Sequence, residues 1–301
     1  MLRPLLLGLG LTLAGGALAD IVVRDDSGQD VRLPAPARRI VTLAPHAAES
    51  LYAAGAGDRL VGTVDYSDFP DEASKVPRVG GYSRIDLEAL VALKPDLVIA
   101  WQSGNPPAQV EKLKALGLKV FVIQPNHMDD VAGQLEQMGR LAGSEATANV
   151  VAARFRERLA SLRKAYAGKP PVRVFYQVWK NPLMTVGGAQ IISDVIHLCG
   201  GENVFAGLGQ MAPTVSVEAV LEADPEAIVV SGMGEDRPEW LDDWRRWPRM
   251  TAVKRNNLFF INPYIIQRHT PRLLDGAERL CGQLEQVRSR RPANPALPKA
   301  P

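Results

Sequence analysis

Glu88 and Glu218 hold the same place in two copies of one phrase. Asp86-Leu-Glu-Ala-Leu-Val-Ala-Leu-Lys-Pro95 and Ser216-Val-Glu-Ala-Val-Leu-Glu-Ala-Asp-Pro225 superimpose at a constant offset of 130 residues. Each copy reads as a helix N-cap (Asp86, Ser216), a glutamate two positions on, an apolar pair, and a proline ahead of a strand. Two chemistries fit these carboxylates. In a first helical turn, a glutamate offsets the helix dipole, worth up to about 1 kcal/mol. Two exposed carboxylates related by pseudo-symmetry would equally suit cationic residues on a symmetric partner. Composition favours the first reading, and the duplication keeps the second open.

Other reactive residues form no catalytic or metal-binding set. His46, His127, His197 and His269 are scattered, without i, i+4 or H-x-H spacing, whereas a bare metal site needs several converging donors. His46, just after an expected strand, reads first as a polar rim residue that could also face a cleft and touch a metal centre. There is no G-x-S-x-G elbow, no Walker loop and no G-x-G-x-x-G after a strand, so binding without catalysis is expected. No protein-bound metal or cofactor is called for.

The compartment decides how the two cysteines are read. Arg3 precedes an apolar run from Leu5 to Ala14, and Ala17-Leu18-Ala19 supplies small residues for cleavage, the pattern of a secretory signal over residues 1–19. The mature chain would begin at Asp20. The run is shorter than the roughly 20 residues a membrane span needs, and no cysteine near the cleavage point offers a lipid anchor. A free periplasmic protein of a Gram-negative cell is the economical expectation. In that oxidising setting Cys199 and Cys281, which lack Cys-x-x-Cys spacing, are expected to form one disulfide pinning the last helix to the second half.

The charge excludes one class of partner. The chain's net charge is +2; without Arg3, and setting aside Arg288, Arg290, Arg291 and Lys299 in a basic, Pro-rich tail (288–301), the body carries about −3. Nucleic-acid binders concentrate positive charge on the folded face, so none is expected here. The tail reads as a solvated end.

Those residues need a scaffold, and the apolar pattern supplies one. Short buried runs at Ile40–Leu43, Leu60–Val64, Leu97–Ala100 and Val120–Ile123 alternate with helical stripes, one of them Val110, Leu113 and Leu116; a further short helix starts near Leu87. A second series follows Pro170-Pro171, with strands at Val172–Val178, Ala227–Val230 and Leu258–Ile261. The alternation predicts parallel sheets, hence an α/β chain of two similar Rossmann-like lobes. Ile192, Val195, Ile196 and Cys199 share one helical face. Thr270-Pro271 is expected to open the last helix as N-cap and first residue, its face being Leu273, Ala277, Leu280, Leu284 and Val287. Between the lobes, Val131, Leu135, Met138 and Leu141 mark one helix. Val151, Phe155, Leu159, Leu162 and Tyr166 mark another, from about Glu145 to Ala167, that would span roughly 35 Å as a stiff connector. The expected organisation is a lobe at 20–143, a connecting helix at 144–170 and a lobe at 171–287. Trp240, Trp244 and Trp247 either cap a surface helix or rim a cleft.

Four further runs carry a resemblance. Arg39-Ile-Val-Thr-Leu-Ala-Pro45, Tyr66-Ser-Asp-Phe-Pro70, Ala92-Leu-Lys-Pro-Asp-Leu-Val-Ile-Ala-Trp101 and Cys199-Gly-Gly-Glu-Asn-Val-Phe205 look like the periplasmic cobalamin-binding proteins, over nearly all of residues 38–285. The resemblance implies two α/β lobes joined by a single rigid helix, a ligand cleft between them, a monomer, and delivery of cobalamin, or a related corrinoid, to the permease dimer of an ABC importer. It implies that Glu88 and Glu218 dock on arginine pockets of the two permease subunits, which reverses the first reading of them. It also implies that Tyr66, Trp101 and Arg268 line the cleft. Three positions depart from the family pattern: Tyr82 and Ala212 stand where it has Trp, and Tyr264 where it has Asp. A corrin needs flat apolar walls, which Tyr66, Tyr82, Trp101, Trp179 and the adaptable Met184 can supply. The alternative on the same scaffold is a haem- or ferric-siderophore-binding protein, with Tyr82 as a candidate axial ligand.

Overall fold

The computed structural model describes residues 20–292 except Met233 and Glu235; the expected signal segment and most of the expected tail lie outside the described residues. A short antiparallel hairpin of β1 (Ile21–Arg24) and β2 (Asp30–Leu33) leads in. It had no counterpart in the expected strands. Then come β3 (Ile40–Thr42), α1 (Pro45–Ala53), β4 (Leu60–Gly62), a two-residue pair β5 (Gly80–Gly81) and β6 (Arg84–Ile85), α2 (Leu87–Ala92), β7 (Leu97–Trp101), α3 (Pro107–Ala115) and β8 (Val120–Ile123). Two helices follow, α4 (Met128–Ala142) and α5 (Glu145–Tyr166). The second series holds β9 (Val172–Gln177), α6 (Ile191–Leu198), β10 (Gly201–Asn203), α7 (Val217–Ala223), β11 (Ala227–Val230), α8 (Thr251–Lys254), β12 (Leu258–Phe260), α9 (Pro263–Ile266) and α10 (Leu273–Ser289).

The two series build the same sheet. One runs β4-β3-β7-β8 and the other β10-β9-β11-β12, each all parallel, with the first strand of the series second in the order. The repeat extends to the backbone. Lys94 and Asp224, each just before the repeat's proline, both take left-handed conformations, at φ 47° and 35°. A proline disfavours the α region for the residue before it, so each short helix ends there.

Because helices cover both faces, the strands read as unbroken apolar runs, with neighbouring residues entering different cores. Ile40, Leu97, Ile99, Phe121 and Ile123 join a core that continues into the second sheet through Val172, Val174, Ala227 and Val229. Val41, Val98, Ala100, Val120 and Val122 enter a core confined to the first half, and Phe175, Ile228 and Val230 one confined to the second. Helices α4, α5, α6 and α10 contribute to the shared core. α5 is close to the expected connector; at 22 residues it runs about 33 Å. Its buried stripe is Ala148, Ala152, Phe155, Leu159 and Leu162, so small residues carry its first turns and Val151 and Tyr166 are only half-buried.

Cys199, capping α6, is bonded to Cys281 on α10, Cα atoms 4.7 Å apart. Two expectations at the C-terminal end fail. Thr270 is not a helix cap: α10 starts at Leu273, and the Thr270 hydroxyl instead donates to Glu49 Oε1 at 2.6 Å, a stronger, charge-assisted bond. Arg288, Arg290 and Arg291 are not solvated tail residues either. α10 runs to Ser289; Arg288 donates to the Pro170 and Cys199 carbonyls at 2.8 and 2.7 Å, and Arg291 donates to Glu226 Oε2 at 2.7 Å. Uncapped carbonyls and a nearby carboxylate hold cations that the sequence leaves unattached.

Candidate functional site

In an open parallel sheet, ligand sites lie outside the carboxyl ends of the strands, where loops diverge over unpaired backbone. The candidate residues sit there. His46 opens α1 just after β3, Tyr66 follows β4, and Trp101 is the last residue of β7. In the second half Trp179 follows β9, while Tyr264, Arg268 and His269 follow β12. Tyr82 occupies the two-residue turn between β5 and β6, 36% exposed, and the strand pairing of Gly81 with Arg84 holds it out at the tip.

One buried residue, Asn105, which no motif or periodicity singles out, ties the first-half loops together. The Asn105 amide donates to the Leu43 carbonyl at 2.8 Å and to the Tyr82 carbonyl at 2.9 Å, and its oxygen accepts the Trp101 N–H at 2.6 Å. A single side chain thus fixes three loops relative to one another. Beside it, Gly104 lies under the Trp101 ring; a Cβ there would fall 1.8 Å from Trp101 Cε3. Only glycine leaves the indole that seat.

Around Trp101 the two halves meet through rings. Tyr82 lies 6.0 Å from Trp101 between centroids, and His46 meets the indole edge-on at 5.0 Å. His269, from the second half, lies 5.0 Å from His46 and 6.3 Å from Trp101. This corrects two expectations. His46 is buried, not on a rim, because Trp101 and His269 close over it, and two of the four scattered histidines converge. Burial, then His269 and Arg268, holds the His46 imidazole well below its usual range, and burial alone brings His269 down to about 4. Both rings are therefore neutral at neutral pH.

A charged network runs beside the rings. Arg268 donates to the Tyr66 carbonyl at 3.0 Å, pairs with Asp68 at 2.6 Å, and stacks 4.4 Å from the Tyr264 ring centroid. Glu49, on α1 and buried, accepts Thr270 Oγ1 at 2.6 Å and both Nε and Nη2 of Arg272 at 2.7 and 2.6 Å, with Arg268 Nη1 3.6 Å away. Arg272 also covers the Phe69 ring at 3.6 Å. Tyr66 is held at φ 63° and is 70% exposed. A left-handed tyrosine is strained, and such strain is tolerated where a loop presents a side chain. Glu49 and Asp68 escaped the sequence reading, and His269 was read only as one of four scattered histidines, because each looks ordinary in its own segment.

Trp179 and Met184 form a separate group. They pair across a narrow bridge, Trp179 Nε1 donates to the Asn181 carbonyl at 3.0 Å, and Trp179 is 38% exposed. Trp244 corrects the expectation of a surface cap or rim. It is buried in the second half's own core, 5.6 Å from Phe175, with its N–H on Gln177 Oε1 at 2.8 Å. Ala212 is exposed.

Glu88 and Glu218 stand exposed in the first turns of α2 and α7, whose N-caps Asp86 and Ser216 accept the N–H of Ala89 and Ala219 at 3.0 and 3.1 Å. Its own backbone N–H and the Ser216 hydroxyl lower the Glu218 carboxyl. Among the described residues no group of three or more His, Cys, Asp or Glu could hold a metal ion, and no helix is long and apolar enough to cross a membrane.

Known proteins extend this picture. The vitamin B12-binding protein of Vibrio cholerae serotype O1 is 38% identical over 253 residues, 84% of this chain and 91% of the relative. That of Yersinia pestis is 37% identical over 256 residues, 85% of this chain and 89% of the relative. The crystal structure of the periplasmic vitamin B12-binding protein of Vibrio cholerae superimposes with a TM-score of 0.79 at 37% identity, covering 84% of this chain and 98% of that one. A periplasmic haem-binding protein of Roseiflexus shares the fold, with a TM-score of 0.74 at 20% identity over 84% of this chain and 99% of its own. The binding rather than catalytic character expected of the chain agrees with these relatives. With two like parallel sheets, candidate residues at their carboxyl ends, and residues 40–265 matching its pattern, the chain belongs to the periplasmic binding protein family.

Proposed function

We propose that this protein captures cobalamin, or a related corrinoid, between its two halves and hands it to an ABC importer. The observation that carries the reading is the 38% identity to a vitamin B12-binding protein over 84% of the chain. The aromatic set is consistent with it. A corrin is a broad plate held mainly by shape and apolar contact, and Tyr66, Tyr82, Trp101, Trp179 and Met184 offer the walls. Arg268, held by Asp68 and stacked on Tyr264, would meet polar groups at the plate's edge. His46 would lie beneath, behind Trp101.

The rest of the reading follows the same scaffold. The segment 1–19 would be removed on export to the periplasm of a Gram-negative cell, leaving a monomer with lobes at 20–143 and 171–287. The connecting segment 144–170, built on α5, would act as a stiff link that limits opening. Glu88 and Glu218, on matching helices, would each dock on one permease subunit. Cobalamin is cargo here, and no resident cofactor is part of the scheme.

Titration of the purified mature protein with cyanocobalamin by calorimetry, with hemin in parallel, tests the reading. One-to-one saturable binding of cyanocobalamin with quenching of tryptophan fluorescence is expected. Hemin binding with a tyrosinate-type spectrum and no cobalamin signal would overturn it, and would identify Tyr82 as a haem ligand on the same scaffold.

A further inference from the structure

Several buried polar atoms make no hydrogen bond where the two halves meet. Buried and without hydrogen-bond partners at one place are His46 Nε2, Trp101 Nε1 and both ring nitrogens of His269, while Arg268 Nη1 makes no hydrogen bond and only a 3.6 Å approach to Glu49. His46 and Trp101 come from the first half, Arg268 and His269 from the second. Buried polar atoms are normally satisfied, and each orphan carries a desolvation cost that water or a ligand would relieve. The halves therefore meet here through groups that would do better apart.

What holds them together lies alongside. The Glu49 carboxylate, three residues from His46 on α1, accepts bonds from Thr270 and Arg272, and Asp68 pairs with Arg268. Attraction at Glu49 thus works against the unsatisfied ring contact. Where attraction on one side opposes unsatisfied polar atoms on the other, a change of charge at the contact shifts the balance between contact and separation.

We propose that His46 and His269 form a proton-sensitive gate: their neutral rings pack while the halves are closed, and protonation of either ring parts the halves at this point. The groups facing the pair are the Trp101 indole, the Arg268 guanidinium and each other. Glu49 and Asp68 are the carboxylates of the adjoining network, and both are already engaged by arginines. An imidazolium at His46 would therefore meet the His269 ring and the Arg268 guanidinium, and one at His269 the His46 and Trp101 rings, in a dry contact where both nearby carboxylates are already paired with arginines. Solvent on the open side would accept it readily.

The sign follows from the imidazole's ordinary value of 6.5 and its value of about 4 when buried. The closed form binds fewer protons than the open one between these limits, so the histidines' contribution to closure is fully present above pH 6.5 and is lost as pH falls toward 4. For His269 alone, going from pH 7.5 to 5.0 shifts the closed-to-open ratio about 30-fold toward open.

The gate belongs to the unliganded protein, and its test needs no ligand. Spin labels are placed at exposed sites on the two halves through Ala115→Cys and Arg249→Cys, and the distance distribution is measured by pulsed dipolar spectroscopy from pH 7.5 to 4.5. A longer-distance population that grows about 30-fold relative to the short one by pH 5.0, with no loss of secondary structure by circular dichroism, is expected. His46→Phe with His269→Phe, or His269→Gln should the double variant fail to fold, should flatten the profile. A wild-type distribution that ignores pH, or an unchanged response in the folded variant, would overturn the proposal.

Discussion

Replacing Glu49 by alanine should weaken the joint between the two halves more than a surface ion pair would. The carboxylate is 3% exposed and accepts three bonds of 2.6 to 2.7 Å, one from Thr270 and two from Arg272. Removing one partner of a buried pair costs about 3–5 kcal/mol, chiefly because the remaining charge is stranded. Here the stranding is partial. Arg272 keeps 24% side-chain exposure and its stack on Phe69, and Arg268 keeps Asp68. The fully buried Thr270 hydroxyl is left with no acceptor. The lower end, about 3 kcal/mol, is the expected loss, and for a chain of this size that lowers Tm by about 5 °C. Glu49→Gln preserves volume and one acceptor and should lose less. Urea and thermal unfolding of Glu49→Ala, Arg272→Ala and the double variant measure both the loss and the coupling, expected at about 2 kcal/mol. A Glu49→Ala loss below about 1 kcal/mol, with additive single effects, would refute the assignment of Glu49 as the joint between halves.

Two more outcomes are expected. Asn105→Ala frees the Leu43, Tyr82 and Trp101 loops from one another, so cyanocobalamin affinity should fall about tenfold, near 1.4 kcal/mol, with altered tryptophan fluorescence; unchanged affinity would leave Asn105 a purely structural residue. Glu88→Ala with Glu218→Ala should abolish most binding to transporter-containing proteoliposomes while leaving ligand affinity intact, since both side chains project from first turns into solvent. Equal loss of both activities would sink that division of labour.

The agreement between sequence and structure is best where the physics is local or periodic. The strands at Ile40, Leu97, Val120, Val172, Ala227 and Leu258 appear within a residue or two of the apolar runs, because a strand buried on both faces must be apolar throughout. The capped helices of the repeat appear with Asp86 and Ser216 in the expected bonds. Agreement fails at Thr270, read as a cap, and at Arg288 and Arg291, read as a solvated tail. There a distant carboxylate or carbonyl outcompetes the neighbour that sequence suggests.

The sequence by itself determined the alternation of strands and helices, the duplication of the sheet, the pairing of Cys199 with Cys281, and the first-turn positions of Glu88 and Glu218. These rest on periodicity, capping and spacing, which are written along the chain. Only the tertiary structure decided that Glu49 meets Thr270 and Arg272, that Asn105 gathers three loops, and that His46 and His269 touch. His46 and His269 belong to different halves, and their contact arises from how two separately built sheets are set against each other. No local propensity encodes that arrangement: each residue is ordinary in its own segment, and its chemistry comes from a neighbour more than two hundred positions away.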